Sequence, residues 1–241
     1  MSTSSTSRVS GQLHGGTLDH VGGRIVGGEL AAGAVLTLER LSREYAVSVS
    51  VAREVVRVLE SMGMVRSRRR VGVTVLGRDD WNVFDPRLIR WRLAGDDRAD
   101  QLRSLSELRR GFEPVAAAGA AEHATSDQCG TLAAAVSDMV VHGHSGDLEA
   151  YLAADITFHR TLLEATGNEM FRALGGVVAE VLTGRTHHRL MPARPNPEAI
   201  ALHDAVARSI RLGDPAAAER AMRELIDEAA EAVQERLGDP A

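Results

Sequence analysis

At 241 residues and a formal net charge of -5, the chain is long enough for one large domain or two modest ones. Its 28 basic residues are all Arg, which excludes chemistry that needs a lysine, such as a Walker A phosphate loop, a pyridoxal Schiff base or a kinase-type ATP site. Cys129 is the single cysteine, so an internal disulfide and a multi-cysteine zinc site are excluded, and no run of about 18 apolar residues exists to span a membrane.

Met1–Gly16 is rich in Ser, Thr and Gly without an apolar stretch, and reads as a disordered tail of a cytoplasmic protein, not as a signal peptide. Through Leu76, ten Arg face six acids, about +4, so the remainder carries about -9. A small basic part joined to a larger acidic part suits one module that meets a polyanion and a second with another task. The boundaries expected are a tail at 1–16, a first domain at 17–76, a linker with a short helix at 77–97, and a second domain at 98–241.

Val21, Ile25 and Leu30 recur near helical spacing, and Gly27-Gly28 stops that first helix. Thr37 begins a second helix with Leu38, Leu41 and Tyr45 on one side. Ala46-Val47 makes a tight turn, and Ser48 stands where an N-cap belongs. The next helix runs from Val49 to Met62, with Val51, Val55, Val58, Leu59 and Met62 as its buried stripe and Val49, Ser50, Arg53 and Arg57 on the opposite side. Gly63 ends it, and Val65–Val75 reads as two short strands around an arginine-rich tip. Helix, turn, helix and basic hairpin together describe a winged helix-turn-helix. Its second helix fits the major groove of duplex DNA, and Arg68, Arg69 and Arg70, with Gly72, sit where phosphates would lie. For the arginine run alone, a solvated charge cluster is the alternative.

From Pro86 onward the pattern predicts about seven helices and no strand, hence a mainly α protein whose C-terminal part is an antiparallel helical bundle. A long helix spans Asp100–Ala124, with Leu102, Leu105, Leu108, Phe112 and either Val115 or Ala116 inward. Ser126 caps the next, Asp147 begins another reaching Ala165, and one helix runs from Glu169 to Thr186. Two more start at Pro197 and at Asp214-Pro215. Polar residues interrupt the buried stripes. Asp155 and His159 are four apart on one face, and His203 falls on the stripe of Ile200, Val206 and Ile210. An Asp and two His aimed inward suit a divalent ion such as zinc or nickel with open positions; the alternative is a hydrogen-bonded Asp–His pair lining a polar pocket without metal. Arg109 offers a fork for a small carboxylate, or a salt bridge to Glu113 four residues on. Asn168 either contacts a ligand or caps a helix, and Arg185, His187 and His188 are assigned to the surface or a pocket mouth.

Leu38–Val75, with Val47-Ser48, Arg53-Glu54, Val58-Leu59-Glu60, Gly63 and Gly72, resembles the GntR family of bacterial transcription regulators. The second half is similar to the ligand-binding (FCD-type) domain of its FadR subfamily, through Glu107-Leu108-Arg109-Arg110, Glu113-Pro114, Asp155-Ile156-Thr157-Phe158-His159, Gly167-Asn168 and His203. The segment Trp81–Pro86 with Ile89-Arg90-Trp91 resembles the branch that senses gluconate- or galactonate-type acids. The resemblance implies a homodimer on a pseudo-palindromic operator, repression relieved by a small carboxylate effector, and an effector site at Arg109, Asp155, His159, Asn168 and His203. DNA contacts are expected at Arg40, Ser48, Val49, Ser50, Arg53 and Arg57, of which Arg53 stands at its position in the family. Three departures stand out. Val49 and Glu39 replace arginines usual in the family, with Arg40 adjacent to the second, and Leu225 stands where metal-binding members carry a further His. Two rival classes, a metal-dependent hydrolase and an architectural DNA-coating protein, lack support: there is no HExxH or G-x-S-x-G pattern, and the chain is net acidic.

Overall fold

The computed structural model describes residues 3–188, 190, 192 and 194–238, with side chains between 15 and 236. It divides into two compact units, Met1–Arg98 and Ala99–Ala241.

The first unit opens with helix α1 (Thr3–Val26), whose Leu18, Val21 and Ile25 are buried. Residues 3–16, expected as an unstructured tail, are part of that helix; Met1 and Ser2 lie outside the described residues. Leu30 is buried beyond the helix end. A two-residue strand β1 (Val35–Leu36) follows, then α2 (Leu38–Glu44) and α3 (Val49–Ser61). Both helices start as their side chains dictate. Thr37 accepts from the Arg40 amide at 3.1 Å, and Ser48 accepts from the Val51 amide at 3.2 Å. The buried arc of α3 differs from the expected stripe: Ala52, Val55, Val56, Leu59 and Met62 are buried, while Val51 and Val58 are half-buried. The helix packs against both α1 and α2, so its inward arc is wider and centred toward Ala52 and Val56.

Strands β2 (Val65–Arg68) and β3 (Gly72–Val75) form the wing, antiparallel with Arg68 opposite Gly72. β1 adds to the other edge of β3, giving the order β1-β3-β2. Sequence periodicity missed β1, because two residues cannot display an alternation. Two glycines are required by contact. Gly63 has φ +71, and a Cβ there would meet the Asp80 carbonyl oxygen at 2.1 Å; Gly72 has φ +108 and would meet the Leu36 carbonyl oxygen at 2.8 Å. The wing therefore starts where β3 passes close to β1. Helix α4 (Pro86–Ala94), capped by Asp85, docks on α1: the Trp91 indole donates to Asp19 at 3.0 Å, and its ring covers Gly22. The segment read as a linker is thus packed into the first unit.

The second unit consists of α5 (Arg98–His123), α6 (Ser126–Ser145), α7 (Leu148–Ala165), α8 (Glu169–Ala173), α9 (Gly175–His187), α10 (Pro197–Leu212) and α11 (Pro215–Gly238), with no strand among its described residues. The cap of α6 is Thr125, not Ser126. Thr125 accepts from the Gln128 amide at 3.3 Å while Gln128 accepts from the Thr125 amide at 3.0 Å, a reciprocal pair that the later residue could not make. The helix expected over Glu169–Thr186 is broken at Leu174, beside Gly175-Gly176, a pair poor in helix propensity. On α5, Ala116 is buried and Val115 exposed. α7 packs against α6 and α9, and α10 against α6 and α11, around Phe158, Leu162, Met139, Leu132, Val206 and Met222. No helix of the described residues is long and apolar enough to cross a membrane.

Candidate functional site

Each unit carries one concentration of functional side chains. In the first, the exposed edge of α3 and the wing border one groove, which Arg53, Arg57, Arg68, Arg69, Arg70 and Gly72 help to line. Arg53, Arg68, Arg69 and Arg70 are exposed and have no acidic partner among the described residues. Arg40 and Arg57 are held instead, Arg40 to Glu44 at 3.6 Å and Arg57 to Glu54 at 2.8 Å. Ser48 is engaged as the helix cap, Ser50 is exposed, and Val49 is 40% exposed, an apolar contact at the helix start. Gly72 has a backbone reason for its identity, as above. Glu60 secures the wing by accepting from the Ser67 amide at 2.8 Å. Four free guanidinium groups along one edge are what phosphate neutralisation and base-edge reading require.

In the second unit, Asp155, His159 and His203 converge although the two helices that carry them are distant in sequence. One ligand atom from each lies within 4.8 Å of the others, and all three residues are buried. Asp155 Oδ1 is 3.3 Å from His159 Nε2 and 3.2 Å from His203 Nε2. His203 Nδ1 lies 2.7 Å from the Ala199 carbonyl, which can only accept, so Nδ1 carries a proton and Nε2 faces the carboxylate. Behind His159 stands Glu113 of α5, with Oε2 2.7 Å from Nδ1, close but off the line of a good hydrogen bond. Glu113 is also gripped by Arg109, whose Nε donates to one carboxylate oxygen and whose Nη2 donates to the other at 3.3 Å. Arg109 Nη2 further approaches His159 Nε2 at 3.3 Å.

The electrostatics follow from this chain of contacts. Burial alone would raise the Glu113 carboxyl, but the charges of Arg109 and His159 outweigh it and hold the group at about 2. Burial likewise opposes ionisation of Asp155, yet hydrogen bonds from His159 and His203 keep its carboxyl well below the usual range. His159 is pushed down by burial and more strongly up by the Glu113 charge and the Asp155 hydrogen bond. Two carboxylates meeting two imidazoles call for positive charge between them, from a proton or from a cation. The N,N,O donor set, oriented by Ala199 and Glu113 from behind, could hold a divalent metal ion. Leu225 is buried and apolar at the cavity wall, so it supplies no fourth ligand.

The remaining expectations divide. Arg109 is brought to the cluster but takes the salt bridge to Glu113, the alternative left open above. Asn168 is not brought there; it is exposed and caps α8, accepting from the Met170 amide at 2.9 Å. His187 is half-exposed and lies 3.2 Å from Glu149. Arg185, assigned from the sequence to the surface or a pocket mouth, lines the cavity beside Tyr151, Asp155 and His203. Its signal was present: Arg185 continues the inward stripe of Val178, Val181 and Leu182 on α9.

Comparisons with known proteins agree with both halves. Residues 17–75 match the family described as bacterial regulatory proteins, gntR family, and residues 104–228 match the FCD domain. The chain is 30% identical over 208 residues to the galactonate operon transcriptional repressor of Escherichia coli K12, covering 86% of this chain and 90% of that protein. Among solved structures it is similar to a GntR protein of Streptococcus agalactiae, with 25% identity, a TM-score of 0.51, and coverage of 90% of this chain and 99% of that one. The fold is also shared with E. coli McbR/YncC, at 15% identity, a TM-score of 0.56, and coverage of 94% and 99%. The matched family is one of regulatory proteins and the E. coli K12 relative is a transcriptional repressor, not an enzyme. With a winged helix-turn-helix ahead of an FCD domain, the chain belongs to the GntR family as a DNA-binding transcription regulator.

Proposed function

We propose that the protein is a cytoplasmic repressor of a sugar-acid catabolic operon, released from its operator when a small carboxylate binds in the cavity of the second unit. The observation that carries this reading is the buried Asp155–His159–His203 cluster on a cavity wall, in a chain similar to a galactonate operon repressor. A homodimer would set two α3 helices on the half-sites of a pseudo-palindromic operator. Arg53, with Val49 and Ser50, would read base edges, while Arg68, Arg69 and Arg70 neutralise phosphates. Arg40 and Arg57 would join them by exchanging their carboxylate partners for phosphate. Ser48 and Gly72 set the helix start and the wing.

Asp155, His159 and His203 are the residues that would hold a divalent ion, zinc or nickel by donor type. When bound, such an ion supplies a Lewis-acidic anchor for an anionic ligand. The chain's own part is positional: Ala199 and Glu113 orient the two imidazoles, Arg109 holds Glu113, and Leu225 closes the wall without ligating. Ligand binding then changes operator affinity through a coupling free energy of the order of 1–3 kcal/mol, about 5–150-fold.

The test is operator binding by fluorescence anisotropy with and without galactonate or gluconate, before and after chelation. Sugar acid is expected to weaken binding by wild type, and His203→Ala to bind operator while losing that response. No change in operator affinity with any sugar acid would end the sensor reading. A His203→Ala protein that fails to fold would make His203 structural.

A further inference from the structure

The cavity beside the Asp/His cluster contains a cation that no carboxylate contacts directly. Arg185 sits on the inward face of α9, and no described residue makes a hydrogen bond or ion pair with its guanidinium; its Nε is buried without a partner. The nearby acids are already engaged. Glu228 accepts from the Asn196 side chain at 3.0 Å, and Asp155 faces both histidines. Arg109 is the reverse case, with Nε and Nη2 both committed to Glu113. Burial first, and then the charge of Arg109, disfavour the charged form of Arg185, and the charges of Asp155 and Glu228 offset them only in part. A buried donor without an acceptor is costly in a finished structure and useful in one that awaits an anion.

The space around it has two parts. The inner cavity holds about 30 Å³, room for about one water. It shares Pro192, Pro195, Asn196, Glu228 and Ala232 with a cleft of about 680 Å³ that opens outward. One carboxylate oxygen can take the place of that water in the first, with the rest of a hydroxylated chain in the second, where Asn196 and Glu228 offer hydrogen-bonding groups.

We infer that Arg185, not Arg109, receives the carboxylate of the ligand, with Arg109 confined to holding Glu113. The inference rests on the reading of the second unit as a carboxylate sensor and names the residue that confers selectivity for an acid over its neutral sugar. The planar guanidinium suits a carboxylate in a two-bond contact that a lysine would not reproduce.

Calorimetric titration of the full-length protein with galactonate, gluconate, galactose and citrate tests this, alongside Arg185→Met and Arg185→Lys. Wild type is expected to bind a sugar acid and to ignore galactose. Arg185→Met should lose about tenfold or more in affinity for the acid, the loss of one charge-assisted hydrogen bond or more, and Arg185→Lys should recover only part. Without ligand, Arg185→Met should melt at or above the wild-type temperature, because an orphaned donor has been removed. A variant that binds the acid as wild type does, or that melts well below wild type without ligand, overturns the assignment. If citrate binds while both sugar acids fail, the sugar-acid reading falls and the Arg185 assignment is decided on citrate. If no carboxylate binds wild type, both fall.

Discussion

Arg69 at the wing and Arg109 in the bundle are the same side chain in opposite settings. Arg69 is in solvent beside three other unpaired guanidinium groups, so its charge acts outward and is available to a polyanion. Arg109 is buried, and its charge acts inward, through Glu113, to orient His159. An exposed arginine keeps its hydration and contributes little to stability. A buried one is tolerable only inside a closed set of partners, and its removal disturbs every member of the set. The wing is therefore built for intermolecular work, and the Arg109–Glu113–His159–Asp155–His203 chain for holding a site together. Arg185 belongs to neither class: it is half-buried, with its Nε enclosed like the second group and unpaired like the first.

The sharpest way to break this contrast is Glu113→Ala, which leaves Arg109 and His159 buried without their carboxylate. By the precedent for a broken buried pair, urea unfolding should show a loss of about 3–5 kcal/mol. The double variant Arg109→Met/Glu113→Leu should recover most of it, since a matched apolar pair leaves no stranded charge. A loss under about 1 kcal/mol for the single variant would mean the buried pair is no tighter than a surface one.

The first unit is tested by Arg53→Ala, whose stability should be unchanged while discrimination between operator and mismatched duplex falls by about 1–3 kcal/mol. Competition binding measures it, and a uniform loss on all duplexes would move Arg53 into the phosphate-contacting group. The smallest expected effect is that of Arg69→Ala. It should weaken every duplex alike and reduce the slope of log affinity against log salt by about 1.

Much of this was legible in the sequence because it depends on near neighbours. Ser48 and Asp147 cap helices through bonds to amides three residues on, so composition at a single spot announces them. Asp155 and His159 share a face because four residues make about one turn. What was misread depended on distant packing. The arc of α3 was shifted by contact with both α1 and α2, β1 exists only because β3 lies beside it, and Asn168 could be assigned to capping only once α8 was seen to start there. Arg185 continued a buried stripe, yet surface and pocket mouth stayed open for it until a cavity was seen in front of it.

The sequence by itself determined the winged helix-turn-helix, the helical second unit and the inward face of the Asp–His pair, because periodicity, caps and turn residues act within a turn or two of the chain. Only the tertiary structure decided which of two arginines is neutralised and which is left free. Charge compensation depends on which side chains from separate helices come within a few ångströms of each other, and spacing along one helix cannot specify that.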